Sequence, residues 1–290
     1  MSTVLPNALS PALTDASPSA LSALLAQLSD PVVRDLAWAL ASPNLLSAAQ
    51  PDSQLAPTDA WYQRLLADYQ PRLLALDQDP HVLHVHCAPH RRLGLYFEAL
   101  WHFFLLDSPR FQVLAHNWQQ VVDGTTLGAF DFLVWDHTQQ EIEHWELAVK
   151  FYLISQQEDA FDHAFGINPR DKLRRKHQHM LNSQLMLANH PHVAPKLNAL
   201  GLFPRHKRLI LKGRLYYPPQ SQHFISHTGE RGQWGTAPPS QEFIAQHKLG
   251  WMTGSRASTD RRQNFVDPDG NWYIQVDEAW LDRTQADHQP

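Results

Sequence analysis

Residues 128–152 read GAFDFLVWDHTQQEIEHWELAVKFY, the pattern of two β-strands joined by a polar turn. A strand sends alternate side chains to opposite faces. In the second strand the odd positions Trp145, Leu147, Val149, Phe151 and Leu153 are bulky and apolar, whereas the even positions His144, Glu146, Ala148, Lys150 and Tyr152 are polar, small or amphipathic. One face is built for a core, and the other carries a carboxylate and a lysine. In the first strand Phe130, Phe132 and Val134 alternate with Asp131, Leu133 and Trp135. Asp131 is a charge inside an otherwise apolar strand, and charged side chains rarely go inside without a partner or a task. The stretch thus sets Asp131, Glu146 and Lys150 where they would meet.

Upstream, Arg92–Leu106 (RLGLYFEALWHFFLL) is helical in pattern and apolar almost all round, so it should be buried. Glu98 sits in its middle. A buried carboxylate is costly alone, so Glu98 either pairs with Arg91, Arg92 or another basic group, or faces a cation or cavity. Pro109 ends the helix, Phe111–Val122 reads as a strand, and Asp123-Gly124 supplies a hairpin turn. Downstream of a polar loop at 154–167, Asn168-Pro169-Arg170-Asp171 looks like a helix start, with Asn as cap and Pro in the first turn. That helix should run to about Ala188. Lys172, Lys176, His179 and Ser183 follow one another at i, i+4, i+7 and i+11, which makes a basic flank: a solvated face, or a row for phosphates. Arg208–Tyr217 reads as a further strand flanked by positive charge. The order is helix, three strands, helix, strand: a compact α/β core over 81–217.

Around this core the ends are simpler. Residues 1–16 form a Ser/Pro/Ala-rich tail. A helical layer at 17–80 begins with Ser17 capping a helix to about Leu28. Pro31 then opens VVRDLAWAL, and Trp61–Asp77 is a longer helix that Pro71 should kink or split. In the C-terminal extension at 218–290, expected to pack on the core, the pattern predicts a short helix at Gln241–Leu249, a hairpin around Asp267–Gly270 and a frayed end, TQADHQP.

With 290 residues, 43% of them hydrophobic, and ten Trp, the chain can bury a large core. Its single Cys (Cys87) excludes an internal disulfide framework and a Cys-rich zinc site, and suits the cytoplasm. Eighteen His are scattered without H-E-x-x-H or His–Cys spacing, which argues against a zinc enzyme. A net charge of −5 counts against coating nucleic acid by bulk electrostatics but leaves room for a local basic groove. No apolar run approaches the roughly 18 residues of a membrane helix, and the N-terminus lacks the basic region of a signal peptide, so a membrane partner is not expected.

The element order, with an acidic residue on the first helix, an Asp after a Gly turn and a Glu…Lys strand, resembles the PD-(D/E)XK nuclease-like superfamily, whose core is α-β-β-β-α-β. More closely, RDLAWAL, LGLYFEAL, HWELAVKFYL and NPRDKL resemble an uncharacterised bacterial family, domain of unknown function 1853, assigned to that superfamily. The resemblance implies a restriction-endonuclease-like fold and a nuclease that hydrolyses phosphodiester bonds of DNA or RNA with Mg²⁺ or Mn²⁺. It implies that Glu98, Asp131 and Glu146 hold metal and that Lys150 assists the attacking water. Lys172, Lys176, Gln178 and Gln184 would then contact nucleic-acid phosphates. Two positions depart from the pattern. Ala148 stands two before Lys150, where the superfamily has an acid, so Glu146 lies one pleat further, roughly 6.5–7 Å along the strand. Ala129 stands where a Glu is common. Two other readings stay open: a degenerate nuclease scaffold that binds nucleic acid or regulates, and a scaffold for another protein.

Overall fold

The structure, a computed structural model, describes residues 19–46, 55–155, 160–219, 221, 224–225, 230–258 and 264–286. Strands β1 (Phe111–Val122), β2 (Thr125–Asp136) and β3 (Glu141–Ile154) form an antiparallel meander, and β4 (Ala164–Phe165) pairs with the end of β3. Strand β5 (His206–Tyr217) runs parallel to β3 from Glu143↔His206 to Leu153↔Tyr216. The sheet then continues through β6 (Glu230–Gly235), β9 (Trp272–Gln275), β8 (Asn264–Val266) and β7 (Ile244–Ala245), in that spatial order. The protein is therefore mixed α/β, with a large central sheet.

The alternation of β3 decides what covers each face. Trp145, Leu147, Val149, Phe151 and Leu153 share one core with helices α1 (Ala20–Leu25), α2 (Pro31–Ala41), α3 (Asp59–Gln78), α4 (His81–Cys87) and α5 (Leu93–Asp107). Ala148 and Tyr152 face the other way, with Leu209 and Leu211 of β5. There they meet Leu173, Met180, Leu181 and Leu185 from α6 (Leu173–His179) and a π-turn at Met180–Gln184. Further along that side lie a short 3₁₀ turn (Leu187–Asn189) and α7 (Ala194–Ala199).

Local chemistry sets most of the boundaries. Asp30 caps α2 by accepting from the Val32 and Val33 N–H groups at 2.9 and 3.1 Å, with Pro31 in the first turn. Helix α1 is capped by Ser19; the expected cap Ser17 lies, with the 1–16 tail, outside the described residues. Pro71 does not split α3, which is assigned as one helix of 20 residues. A proline inside a helix costs about 3 kcal/mol, whereas Trp61, Tyr62, Leu65, Leu66, Tyr69, Leu73 and Leu76 are all buried along α3, each gaining about 1.5–3 kcal/mol. The packing outweighs the proline.

Three expectations downstream of the hairpin are corrected. Asn168–Asp171 is a turn, closed by the Asp171 N–H on the Asn168 carbonyl at 2.9 Å, and α6 starts only at Leu173. Asp171 is held by tertiary partners instead of by a helix N-terminus. The helix also does not run on to Ala188: it passes into the π-turn, closed by the Leu185 N–H on the Met180 carbonyl at 2.9 Å. Residues 241–249 form no α-helix; Ile244–Ala245 pairs with β8, and a 3₁₀ turn covers Lys248–Trp251. The C-terminal segment is helical as α8 (Glu278–Ala286), where buried Trp280 donates to the Gly166 carbonyl at 3.0 Å.

The C-terminal part is tied to the helical layer by a buried polar knot. Asp35 of α2 accepts from Tyr96 of α5 at 2.8 Å, Thr253 at 2.6 Å and Arg256 at 3.1 Å. Two basic residues of β5 are buried as well, Lys212 and Arg214, with Lys212 against the Ser42 carbonyl and the Tyr62 ring. They are scaffold cations and form no surface groove.

Candidate active site

The β2–β3 ladder ends at Phe132↔Trp145. Beyond it, side chains take over from the backbone. The Asp131 carboxylate accepts the Leu147 N–H at 2.9 Å, and the Asp131 N–H donates to Glu146 Oε1 at 3.4 Å. Buried backbone groups need partners, and these two carboxylates supply them where the strands part. The expected alternation of β2 fails at the same place. Phe130 packs with Leu133, Leu187 and Val193 and meets the His144 ring edge-on at 4.8 Å, on the side opposite Phe132. Gly128 keeps this end close to the turn that follows α6, since a methyl there would stand 3.3 Å from Leu187.

Glu146 is fully buried and engaged on both oxygens. His144 Nε2 lies 2.7 Å from Oε1, and Gln184 Nε2 donates to Oε2 at 2.5 Å. The Gln184 carbonyl in turn accepts from Lys176 Nζ at 3.1 Å. Burial pushes His144 down to about 3, so its ring is neutral and Nε2–H is the donor; Nδ1 is buried with no partner. Burial, then the neighbouring Glu146 charge, pushes Asp131 up to about 8. Burial pushes Glu146 up to about 7, against the N–H of Asp131. Burial thus biases both carboxyls toward the protonated form. Burial, and then the charge of Lys150, lowers Lys176. The site is a dry place with more negative charge than its surroundings balance.

Of the predicted residues, the fold brings Asp131, Glu146, Gln184 and Lys176 together. Lys150 turns elsewhere: its Nζ lies 2.7 Å from Asp171 Oδ2, and Tyr152 donates to Asp171 Oδ1 at 3.0 Å. Gly213 lets β5 press against this residue, because a Cβ there would fall 1.6 Å from the Lys150 carbonyl oxygen. Glu98 takes neither Arg91 nor Arg92 as partner. It meets His116 Nε2 at 2.8 Å, and His116 stacks on Phe132 at 4.7 Å. Its charge still reaches the pair and adds to the upward push on both carboxyls. Lys172 lies over the Phe165 ring at 5.3 Å, and Gln178 is exposed. The backbone of Leu147 contributes its N–H, not the carbonyl that a strand-borne ligand set would use.

Sequence reasoning missed His144 and Asp171. His144 was legible only as one more polar residue on the even face, and Asp171 only as a first-turn acid. Nothing in the local pattern announces either contact, because both are made across elements.

Among the described residues no group of three His, Cys, Asp or Glu is placed to hold a metal ion, so Glu98 does not complete a three-acid set with Asp131 and Glu146. The two adjoining carboxylates do suit a small hard cation. An ion of the Mg²⁺ type takes one or two carboxylates and keeps several waters. Asp131 Oδ2 and Glu146 Oε2 each have a second lone pair beyond the bond they accept, whereas Glu146 Oε1 already accepts from both Asp131 and His144.

No helix among the described residues is long and apolar enough to cross a membrane. Comparison with curated proteins and with solved structures gives no match. The family model described as a domain of unknown function (DUF1853) matches residues 34–289, from the middle of α2 through the hairpin, the site and α8, and the chain belongs to that family.

Proposed function

We propose that the protein is a metal-dependent phosphodiesterase acting on nucleic acid, built on a restriction-endonuclease-like core. The observation that carries this reading is the Asp131–Glu146 pair, a half-buried and a buried carboxylate on adjoining strands where the ladder opens, with Lys176 linked to them through Gln184. The order α5-β1-β2-β3-β4-α6-α7-β5 contains the α-β-β-β-α-β sequence of elements, with β4 and α7 as insertions, and this supports the reading. Asp131 and Glu146 would hold Mg²⁺ or Mn²⁺. When bound, such an ion supplies an activated water and neutralises charge on the phosphoryl oxygens. The chain's own residues do the rest. Leu147 N–H and Gln184 fix the two carboxylates, neutral His144 keeps Glu146 oriented, and the partly exposed Lys150 is available to a phosphate.

The test is cleavage of labelled single- and double-stranded DNA and RNA in Mg²⁺ and Mn²⁺, with Asp131→Asn and Glu146→Gln beside the wild type. Metal-dependent cutting that falls at least 100-fold in both variants, with circular dichroism unchanged, is the expected result. Cutting that survives both substitutions removes the pair from the chemistry. A second reading, a nucleic-acid-binding module on a degenerate nuclease scaffold, is favoured by the engagement of both Glu146 oxygens by neutral donors. Salt-sensitive nucleic-acid binding without Mn²⁺ uptake would establish it.

A further inference from the structure

The superfamily pattern puts the site's lysine on the third strand, yet the strand lysine here is engaged by Asp171, which also accepts from Tyr152, while a helix lysine is linked to Glu146 through Gln184. We propose that Lys176 and Gln184 form the polar arm of the carboxylate pair, with Gln184 fixing Glu146, Lys176 supplying the positive charge, and the π-turn bringing the two into register. The assignment rests on the nuclease reading for its purpose but not for its geometry.

The geometry follows from helix periodicity. In an unbroken α-helix the seventh residue after a given one lies about 20° away around the axis, and the eighth about 80° away. By that rule Ser183, seven after Lys176, should share its face, and Gln184 should not. The π-turn at Met180–Gln184 absorbs one extra residue. Ser183 is accordingly exposed, and Gln184 takes the seventh place, within 3.1 Å of Lys176 Nζ. A π-turn replaces α-helical bonds with a less favourable pattern, and such turns recur where a side chain must be re-aimed at a site. Here the re-aimed side chain is an amide that donates to Glu146 and accepts from Lys176. An amide carries a donor and an acceptor on separate atoms and so does both jobs at once. Lys176 is partly buried, and the charges that attract it are those of Asp131, Glu146 and Asp171.

Lys176 acts through Gln184, so both are positioning residues, and the test must not depend on activity. It is a pair of double-mutant cycles in denaturant unfolding of the full chain: Glu146→Gln with Lys176→Met, and Glu146→Gln with Lys150→Met. At least fivefold coupling in the unfolding constant is expected in the first cycle and less than twofold in the second. Coupling through Lys150 and none through Lys176 overturns the proposal. Lys176→Arg should keep the coupling that Lys176→Met loses. Moving the amide back one position, in the double variant Ser183→Gln with Gln184→Ala, should behave like Gln184→Ala alone; rescue by Gln at 183 would show that the π-turn does not set the register. In Mn²⁺ calorimetry Gln184→Ala should weaken binding at least tenfold and Lys150→Met less than threefold, and the reverse order counts against the arm. A wild type that takes up no Mn²⁺ brings down the nuclease reading, while the cycles still decide the arm.

Discussion

The hairpin of β2 and β3 buries acids at both ends and treats them in opposite ways. At the turn end, Asp136 meets Arg110 at 2.8 Å and the N–H of Thr138 at 2.8 Å, and Glu143 meets Arg208 through two bonds of 2.5 Å and the Trp145 indole at 2.6 Å. Burial pushes the Asp136 carboxyl up, but Arg110 and the backbone donors more than offset it and hold it below the usual range. At the open end Asp131 and Glu146 face each other, with a neutral histidine and an amide for company. The strands and residue types are shared, and Glu146 is as buried as Asp136 and Glu143, while Asp131 is half-buried. The difference lies in arginine. An acid matched by a guanidinium belongs to the scaffold, because breaking a buried pair is far costlier than keeping it. A buried acid pair without such a match is kept at a cost to stability, and perturbed carboxyls in that situation mark functional sites.

The sharpest way to break this comparison is at the turn end. Arg208→Ala leaves Glu143 in the core without its guanidinium and with the Trp145 indole for a partner, and should cost about 3–5 kcal/mol in urea unfolding. A loss under 1 kcal/mol would mean that Glu143 is not held as a scaffold charge. Next comes Asp35, a buried acid with an arginine partner whose carboxyl nevertheless rises from 3.8 to about 6, because burial outweighs Arg256. Between those values the folded chain binds more protons than the unfolded chain. The stability lent by neutral Asp35 is therefore full below pH 3.8 and is lost as pH rises through about 6. Relative to Asp35→Asn, the wild type should lose about 3 kcal/mol across that window, read from denaturation curves at successive pH values. A difference that instead favours the wild type as pH rises would place Asp35 with Asp136.

At the open end the expected stability changes are smaller and of the opposite sign. Asp131→Asn and Glu146→Gln each remove an uncompensated charge, and should leave unfolding within about 1 kcal/mol of the wild type or stabilise it. Destabilisation above about 3 kcal/mol would make these acids scaffold like Glu143. The smallest effect is electrostatic. Lys150→Ala should reduce the slope of log binding against log salt by about 0.7–0.9, the share of one lysine neutralising one phosphate, and Asp171→Asn should tighten nucleic-acid binding by removing a competing anion. An unchanged slope would leave Lys150 bound to Asp171 even with nucleic acid present.

What the sequence by itself determined was whatever depends on near neighbours. The alternation of β3 and of β2 from Phe132 onward, the Asp30-Pro31 start of α2, the Asp123-Gly124 turn and the Asp267–Gly270 hairpin are local consequences of side-chain alternation, capping and turn chemistry, and the structure shows them there. The pairing of Asp131 with Glu146 was legible because it needs only two adjacent strands. What only the tertiary structure decided was how each charge found its partner: Lys150 with Asp171, Glu98 with His116, Lys176 with Gln184. Those choices turn on where a ladder stops and where a helix takes in one extra residue. Both are settled by packing between distant segments, and a side-chain contact that forms across 18 or 21 positions of chain, or across a π-turn, leaves no period for a sequence to display.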